Sequence, residues 1–222
     1  MQQLGLGFIQ RGRGGARVGA GRKPLPAALR HTPHRARAEH RGRHPVHVTL
    51  RAFTRRLRSQ QVIRTVLSAL RDGNTSRFRL AHYSVQENHL HLIVEAEDKQ
   101  ALSSGMRSLM IRIARRVNRL LFRRGRLWAD RWHANALTSP RQVRNALVYV
   151  LKNRNKHAAA SHATSLDPLS SAQWFDGFAD PVPSSFRSVG PPSIAAPTSW
   201  LLRLGWRRHG LIKSNDVPKA NH

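Results

Sequence analysis

Apolar residues recur along positions 45–157 with two different periods, and the order of these periods predicts secondary structure. Val46, Val48 and Leu50 alternate with polar residues, as in a strand with one apolar face. In longer stretches the apolar residues recur at the spacing of amphipathic helices. The predicted elements are a strand at 46–52, a helix at 60–70, strands at 78–85 and 89–97, a helix at 102–121, a strand at 126–137 and a helix from Ser139 to about His157. This order predicts an α+β sandwich in which helices pack on a mainly antiparallel sheet.

The regions on either side of these elements have a different composition. Residues 1–44 are rich in Gly, Arg, Pro and His and have no hydrophobic period, so we expect a disordered basic arm. Arg22 and Lys23 lie in a segment similar to arms that bind the DNA minor groove, but a solvated tail is the commoner role of so short a motif. Residues 158–222 form a Pro- and Ser-rich tail. Its basic, apolar segment 200–212 could clamp DNA or touch a membrane surface, but we expect it to dock on the core.

Charge narrows the class of partner. The 222 residues include 39 Lys and Arg but only 11 Asp and Glu, which gives a net charge of +28. This excess favours a nucleic acid, because each neutralised phosphate releases condensed counterions. No apolar run reaches the ~20 residues that span a bilayer, no signal peptide is expected, and cysteine is absent, which excludes disulfides and thiolate zinc sites. We therefore expect a soluble, intracellular protein that faces nucleic acid and not a membrane.

Candidate chemistry lies on the third predicted strand and the last predicted helix. His89 and His91 are two positions apart and therefore lie on one face of the sheet, opposite its more apolar face. A bare His-x-His pair is more often structural than metal-binding. Tyr149 favours a functional site, because it lies off the apolar stripe of its helix, on a polar face with Lys152 and with Asn153 one turn later. The competing interpretation is that Tyr149 is a surface tyrosine with no function.

Together these residues predict a centre for phosphodiester chemistry. The two histidines would bind Mg²⁺ or Mn²⁺, with the amide oxygen of Asn153 as a candidate third ligand. The cation would polarise a phosphate, and with Lys152 it would favour the phenolate of Tyr149 as the attacking group. Zinc is the alternative metal, and Glu95 on the same strand face is a candidate ligand for it.

Basic and aromatic residues supply candidate DNA contacts. Arginines of the long helix lie largely opposite its apolar stripe, where they could bind the phosphates of a duplex. The predicted DNA-binding residues are Arg22, Lys23, Arg112, Arg115, Arg116, Arg119, Lys152 and Lys156. Trp128 or Trp132 could stack on extruded bases, although we expect core packing for at least one of them. No Gly-rich phosphate loop occurs, so no nucleotide cofactor is expected.

Four short motifs, in their order and spacing, resemble one known family. They are His47-Val48-Thr49-Leu50-Arg51, Glu87-Asn88-His89-Leu90-His91-Leu92, Leu127-Trp128-Ala129-Asp130-Arg131 and Tyr149-Val150-Leu151-Lys152-Asn153. The chain resembles the single-tyrosine transposases of the insertion-sequence-200-like group, which carry a histidine-hydrophobe-histidine (HUH) motif, and most of all the REP-associated tyrosine transposases. It departs from them at Asn153-Arg154, where Asn-Pro is usual, and at His133, where an aromatic residue is common.

The resemblance implies a ferredoxin-like catalytic domain at 45–157, with the HUH motif on a central strand. It implies that Tyr149 attacks single-stranded DNA at hairpin-associated sites, which leaves a 5′-phosphotyrosine and a free 3′ hydroxyl. His89, His91 and Asn153 would be the metal ligands. We therefore expect a metal-dependent transposase, a DNA strand transferase that acts as a monomer or homodimer in the bacterial cytoplasm, where it associates with the nucleoid. The alternatives are a domesticated, non-catalytic DNA-binding protein of the same fold and an RNA-binding accessory protein.

Overall fold

Four strands and four α-helices are formed by the part of the chain that the computed structural model describes, which is residues 39–152, 166–183, 186 and 191–218. The elements are β1 (Val46–Arg51), α1 (Gln60–Arg71), β2 (Phe78–Val85), β3 (His89–Ala96), α2 (Lys99–Leu120), β4 (His133–Ala136), α3 (Pro140–Leu151) and α4 (Trp200–Arg203). Two 3₁₀ turns, Ser171–Trp174 and Gly205–His209, flank α4 in sequence. Among these elements no helix has both the length and the apolar character needed to cross a membrane.

The strands form one antiparallel sheet in the order β2-β3-β1-β4. Because β3 pairs antiparallel with both β1 and β2, those two strands run in the same direction on either side of it. The histidine-bearing strand β3 is therefore an inner strand of the sheet. The predicted α+β class, with helices on an antiparallel sheet, is confirmed.

The two faces of the sheet are covered by different elements, and the alternation of side chains along β3 shows which face is which. Leu90, Leu92 and Val94 belong to a first core, together with the buried stripes of α1 and α2. Ile93 points the other way and belongs to a second core, formed with α3 and the C-terminal segment 166–218. His89, His91 and Glu95 share the parity of Ile93 and so face the α3 side of the sheet.

The start of α3 follows from its sequence. Ser139 is the N-cap, and its Oγ accepts a hydrogen bond from the backbone N–H of Gln142 at 3.3 Å. The Oε1 of Gln142 accepts from the N–H and the hydroxyl of Thr138, at 2.7 and 2.9 Å. Pro140 occupies the first turn, where its missing N–H costs nothing. This capping arrangement fixes the residue at which α3 begins after β4, and hence the position of Tyr149 on the last turn of the helix.

Two predicted elements are wrong in extent. The strand expected at 126–137 is reduced to β4, His133–Ala136, because the preceding residues turn inward to bury Trp128 and Trp132 in the first core. The helix expected to reach about His157 ends at Leu151, and the backbone at Lys152 leaves the helical region (φ −120°, ψ 18°). The rest of that predicted extension, 153–157, lies outside the described residues.

The C-terminal segment docks on the second core, as expected for residues 200–212. Leu201, Leu202, Trp206 and Ile212 are buried there, and burial of a side chain of this size contributes about 1.5–3 kcal/mol. The docking is also polar. Buried Glu95 of β3 accepts hydrogen bonds from the backbone N–H groups of Thr198 and Ser199, at 2.6 and 2.9 Å, and from the Thr198 hydroxyl at 3.0 Å.

Candidate active site

Three aromatic rings meet on the α3 side of the sheet. The ring of Tyr149, on the last turn of α3, lies 5.0 Å from the ring of His91 on β3 and 5.6 Å from the ring of His47 on β1. The two histidine rings are themselves 5.6 Å apart. The strand pairing brings the two histidines together. Thr49 lies opposite His91 and His47 lies opposite Ile93, so His47 and His91 are diagonal neighbours on one face of the sheet.

The environment of His91 holds its ring in a defined orientation. His91 is buried, and its Nδ1 lies 3.2 Å from the Oγ1 of Thr49, its partner across the β1–β3 pair. A hydrogen bond to one ring nitrogen fixes the orientation of an imidazole that binds a ligand through the other nitrogen. The hydroxyl of Thr49 is therefore a positioning group that the predicted site did not include.

His89 lies at the more open end of the pair. Its ring is stacked nearly parallel to that of His91, with an interplanar angle of 11° and centroids 6.3 Å apart. Burial lowers the pKa of His89, and the charge of Arg51 lowers it further. Because Arg51 is the β1 partner of His89, this effect is built into the strand register. Both effects favour the neutral form of His89, which is the form that binds a metal.

His47 is a site residue that the sequence-based prediction missed. Its side chain is buried, its Nε2 has no hydrogen-bond partner among the described residues, and burial lowers its pKa to about 4. A buried polar atom without a partner is uncommon in folded proteins and calls for an explanation. The signal was present in the sequence, because His47, Thr49 and Arg51 form the polar face of β1. What was lacking was the register that sets this face beside the histidines of β3.

Tyr149 is accessible, whereas the second tyrosine of the chain is not. Tyr149 is partly buried, and this burial raises the pKa of its hydroxyl. Tyr83 is fully buried in the first core, on the far side of the sheet from His91. Burial also raises the pKa of Tyr83 strongly. Of the two tyrosines, only Tyr149 lies beside the histidines with part of its side chain exposed.

Lys152 does not occupy the place predicted for it. Its side chain is buried, and its Nζ donates hydrogen bonds to the carbonyl oxygens of Lys213, Ser214 and Asp216 at 3.2, 2.5 and 2.6 Å. The ammonium therefore anchors the C-terminal segment. The expectations that it contacts DNA and favours the phenolate of Tyr149 are corrected, because a buried cation with three acceptors is not presented to either.

A divalent cation fits the donor chemistry of this face. Imidazole nitrogen is a donor that divalent cations accept, and the ring centroids of His89 and His91 lie 6.3 Å apart on this face. The Nε2 of His47 beside them, for which the described part of the chain offers no partner, is a buried polar atom that a bound group could satisfy. No cluster of three or more His, Asp or Glu side chains with metal-binding geometry occurs within the described ranges. The candidate zinc ligand Glu95 is already bound by Thr198 and Ser199.

The predicted DNA-binding residues fall into separate groups. Arg112, Arg115, Arg116 and Arg119 lie on α2 and therefore on the face of the sheet opposite Tyr149. Arg115 and Arg119 are exposed, whereas Arg116 is paired with Asp72 at 2.7 Å and bonded to Ser68 at 3.0 Å. Arg22, Lys23, Lys156 and the candidate metal ligand Asn153 lie outside the described residues.

Both tryptophans proposed as stacking surfaces are core residues. Trp128 and Trp132 are each 8% exposed and belong to the first core. The indole N–H of Trp128 donates to the carbonyl of Met110 on α2 at 3.0 Å. The prediction of core packing is thus confirmed for both, and neither ring is available to an extruded base.

Comparison with known proteins places this geometry in a family. The profile of the family described as "Transposase IS200 like" matches residues 43–153. A REP-associated tyrosine transposase bound to a REP hairpin is similar in structure, with a TM-score of 0.50 and 17% identity over 63% of this chain and 82% of that one. A candidate transposase from Deinococcus radiodurans R1 gives a TM-score of 0.37 and 16% identity over 59% of this chain and 100% of that one. No curated protein matches the chain.

Proposed function

Because this chain belongs to the IS200-like transposase family, we propose that it cleaves and rejoins single-stranded DNA at hairpin-associated sites, with Tyr149 as the nucleophile. The observation that carries the proposal is the contact between Tyr149 of α3 and His91 of the inner strand β3, whose rings lie 5.0 Å apart. The strand order β2-β3-β1-β4 supports a ferredoxin-like core with the HUH motif at its centre.

The proposed metal ligands are His89 and His91, with Asn153 as the third, and the proposed metal is Mg²⁺ or Mn²⁺. A cation bound there would polarise the scissile phosphate and stabilise the departing 3′ oxygen. The protein's own contribution is orientation. Thr49 fixes the ring of His91, and partial burial together with the charge of Arg51 lowers the pKa of His89 and so favours its neutral form.

The proposed reaction is a transesterification at phosphorus. The phenolic oxygen of Tyr149 forms a bond to the scissile phosphorus and loses its proton, while the bond from phosphorus to the 3′ oxygen breaks. The 3′ oxygen takes up a proton and leaves as a free hydroxyl, and the 5′ phosphate stays on the tyrosine. Attack of a 3′ hydroxyl on this phosphotyrosine reverses the step and rejoins DNA. The energy of the broken bond is kept in the intermediate, so the reaction needs no nucleotide cofactor.

DNA is the proposed partner, on the strength of charge and of the structural relative. The net charge of +28 favours a polyanion, and the similar REP-associated transposase was solved with a REP hairpin. We propose that exposed Arg115 and Arg119 of α2 hold duplex phosphates of a hairpin. The single strand that leaves the hairpin would then cross to the α3 side of the sheet to reach Tyr149.

The proposal is tested by incubating the protein with labelled single-stranded DNA from the flanks of its own gene, with Mn²⁺ or Mg²⁺. A protein–DNA adduct that survives denaturant is expected, together with a fragment ending in a 3′ hydroxyl. Tight hairpin binding without any adduct would instead indicate a non-catalytic DNA-binding protein of this fold. Preference for an RNA hairpin over the matched DNA hairpin, again without adduct, would indicate an RNA-binding protein.

A further inference from the structure

Two phenylalanine side chains stand in solvent outside both cores. Phe122 is 98% exposed and Phe53 is 60% exposed. Scattered exposed apolar residues are common on protein surfaces, so exposure alone assigns no role to them. A role is indicated instead by three further features: the backbone conformation of Phe122, the hydrogen bonds that join these segments to the sheet, and the arginines beside both rings.

Phe122 occupies a backbone position that normally belongs to glycine. It follows the C-cap Leu121 of α2 with φ at +49°. Its N–H bonds to the carbonyl of Arg119 at 3.3 Å, and the N–H of Arg123 bonds to the carbonyl of Asn118 at 3.0 Å. These two bonds define a Schellman motif, in which glycine is favoured because a side chain crowds the left-handed conformation. Phe122 therefore costs stability, and its almost complete exposure means that no packing offsets this cost.

The loop that carries Phe122 is held in place by side chains. The Nδ2 of Asn118 donates to the carbonyl of Gly125 at 2.8 Å, and a guanidinium nitrogen of Arg123 donates to the carbonyl of Arg126 at 3.1 Å. The ring of Phe122 is thus presented to solvent from a defined turn.

Backbone hydrogen bonds join this loop to the end of the sheet that carries His89. The N–H of Phe53 donates to the carbonyl of Leu127 at 2.9 Å, and the N–H of Ala129 donates to the carbonyl of Arg51 at 2.8 Å. Arg51 is in turn the β1 partner of His89. Phe53 therefore lies two residues beyond the β1 partner of His89, and the loop of Phe122 leads into the segment that is bonded to this strand end.

The charged residues within four positions of either ring in sequence are all arginines. Arg51, Arg55 and Arg56 lie beside Phe53 in sequence and are exposed, as are Arg124 and Arg126 beside Phe122. Across the described residues none of these five arginines forms an ion pair with Asp or Glu. Exposed aromatic rings among unpaired arginines are the combination that proteins use to bind single-stranded nucleic acid, because bases stack on the rings while phosphates bind the cations.

We infer that Phe53 and Phe122 are stacking platforms for unpaired bases of the DNA strand that leaves the hairpin, with its phosphates on the neighbouring arginines. The inference rests on the DNA ligand of the proposed function but not on cleavage. It gives a function to Phe122, whose side chain does not pack against the fold.

The test measures binding without metal, so that cleavage plays no part. A hairpin DNA is compared with the same hairpin carrying a single-stranded extension that contains 2-aminopurine, whose fluorescence falls when the base stacks. Wild type should bind the extended DNA more tightly and quench it. Phe53→Ala and Phe122→Ala should each reduce this added affinity by about tenfold and relieve the quenching, because stacking on one ring contributes roughly that factor. Phe122→Trp should retain both effects.

Phe122→Gly separates a binding role from a structural one. It relieves the left-handed strain and should raise the melting temperature, yet it should lose the added affinity as Phe122→Ala does. Leu204→Ala removes another exposed apolar side chain, 55% exposed in the C-terminal segment, and is the matched control that should change nothing.

Three results would overturn the inference: no added affinity for the extension in wild type, alanine variants that bind it as wild type does, or an equal loss in Leu204→Ala. The second result is also the one expected if the rings serve a protein partner. Failure of cleavage is distinguishable, since a protein that forms no adduct but shows the stacking pattern contradicts only the proposed function.

Discussion

The ring of Tyr149 meets the ring of His91 edge-on, at an interplanar angle of 85° and a centroid distance of 5.0 Å. The two residues come from different elements, α3 and β3, which pack together through the second core. An edge-on contact is a favoured geometry for aromatic rings, and here it brings the hydroxyl-bearing ring of the proposed nucleophile beside a candidate metal ligand.

Tyr149→Phe should abolish the covalent adduct and DNA cleavage while leaving hairpin binding within about twofold of wild type, because only the hydroxyl is removed. The measurements are denaturing gel electrophoresis for the adduct and fluorescence anisotropy for binding. Tyr83→Phe is the control, since that hydroxyl is buried on the opposite side of the sheet. An adduct that persists in Tyr149→Phe would assign the nucleophile elsewhere.

His89→Ala and His91→Ala should each remove cleavage supported by Mg²⁺ or Mn²⁺ and weaken binding of Mn²⁺, measured by electron paramagnetic resonance in the absence of DNA. The reason is loss of one imidazole from a two-histidine donor set. Excess EDTA should stop the wild-type reaction. Cleavage that continues undiminished in EDTA would remove the metal from the mechanism.

His47→Ala should slow cleavage of bound DNA in single-turnover conditions by more than it weakens DNA or Mn²⁺ binding. His47 contacts the rings of both Tyr149 and His91, so its loss leaves a gap beside the nucleophile. His47→Phe restores a ring of similar shape and should recover part of the rate if the role is positioning. Equal loss in both variants would point to the ring nitrogens instead.

Lys152→Met should lower the free energy of unfolding by about 2–4 kcal/mol, because it leaves three carbonyls of the C-terminal segment without their donor. Binding of hairpin DNA by the folded protein should not change. Denaturant unfolding and anisotropy measure the two effects. Weaker binding without loss of stability would instead return Lys152 to the DNA interface.

Stability should fall below about pH 6.5 because of His82. Burial between β2 and the C-terminal segment lowers its pKa from 6.5 to about 4, with Asp176 opposing the shift, and its Nδ1 lies 3.2 Å from the Oγ of Ser171. Between about pH 6.5 and 4 the side chain of His82 is therefore protonated in the unfolded chain but not in the folded chain. The unfolding free energy is unaffected above pH 6.5 and declines by up to about 1.4 kcal/mol per pH unit as the pH falls towards 4.

Urea titrations at several pH values measure this dependence, and His82→Gln is the control, since it should flatten the part of the slope that belongs to His82. An unchanged slope in that variant would assign the acid sensitivity to other groups. His47, whose pKa is also lowered to about 4 by burial, is the next candidate.

The sequence by itself determined the elements and the chemistry they carry. Alternation along 46–52 and 89–97 gave two strands with one polar face each, because side chains of a strand alternate between its faces whatever the strand pairs with. The cap at Ser139 and Pro140 placed the start of α3, because it depends only on residues within one helical turn. His89, His91 and Tyr149 could be selected on residue type and position alone.

Only the tertiary structure decided which of these residues meet. His47 reaches His91 through strand register, and Lys152 is bound by carbonyls more than 60 residues later. The inward turn that buries Trp128 and Trp132 depends on α2 being beside them. A periodic pattern reports the local conformation and the polarity of a face. Contacts between segments far apart in the chain depend on register, packing and burial, which no local pattern contains.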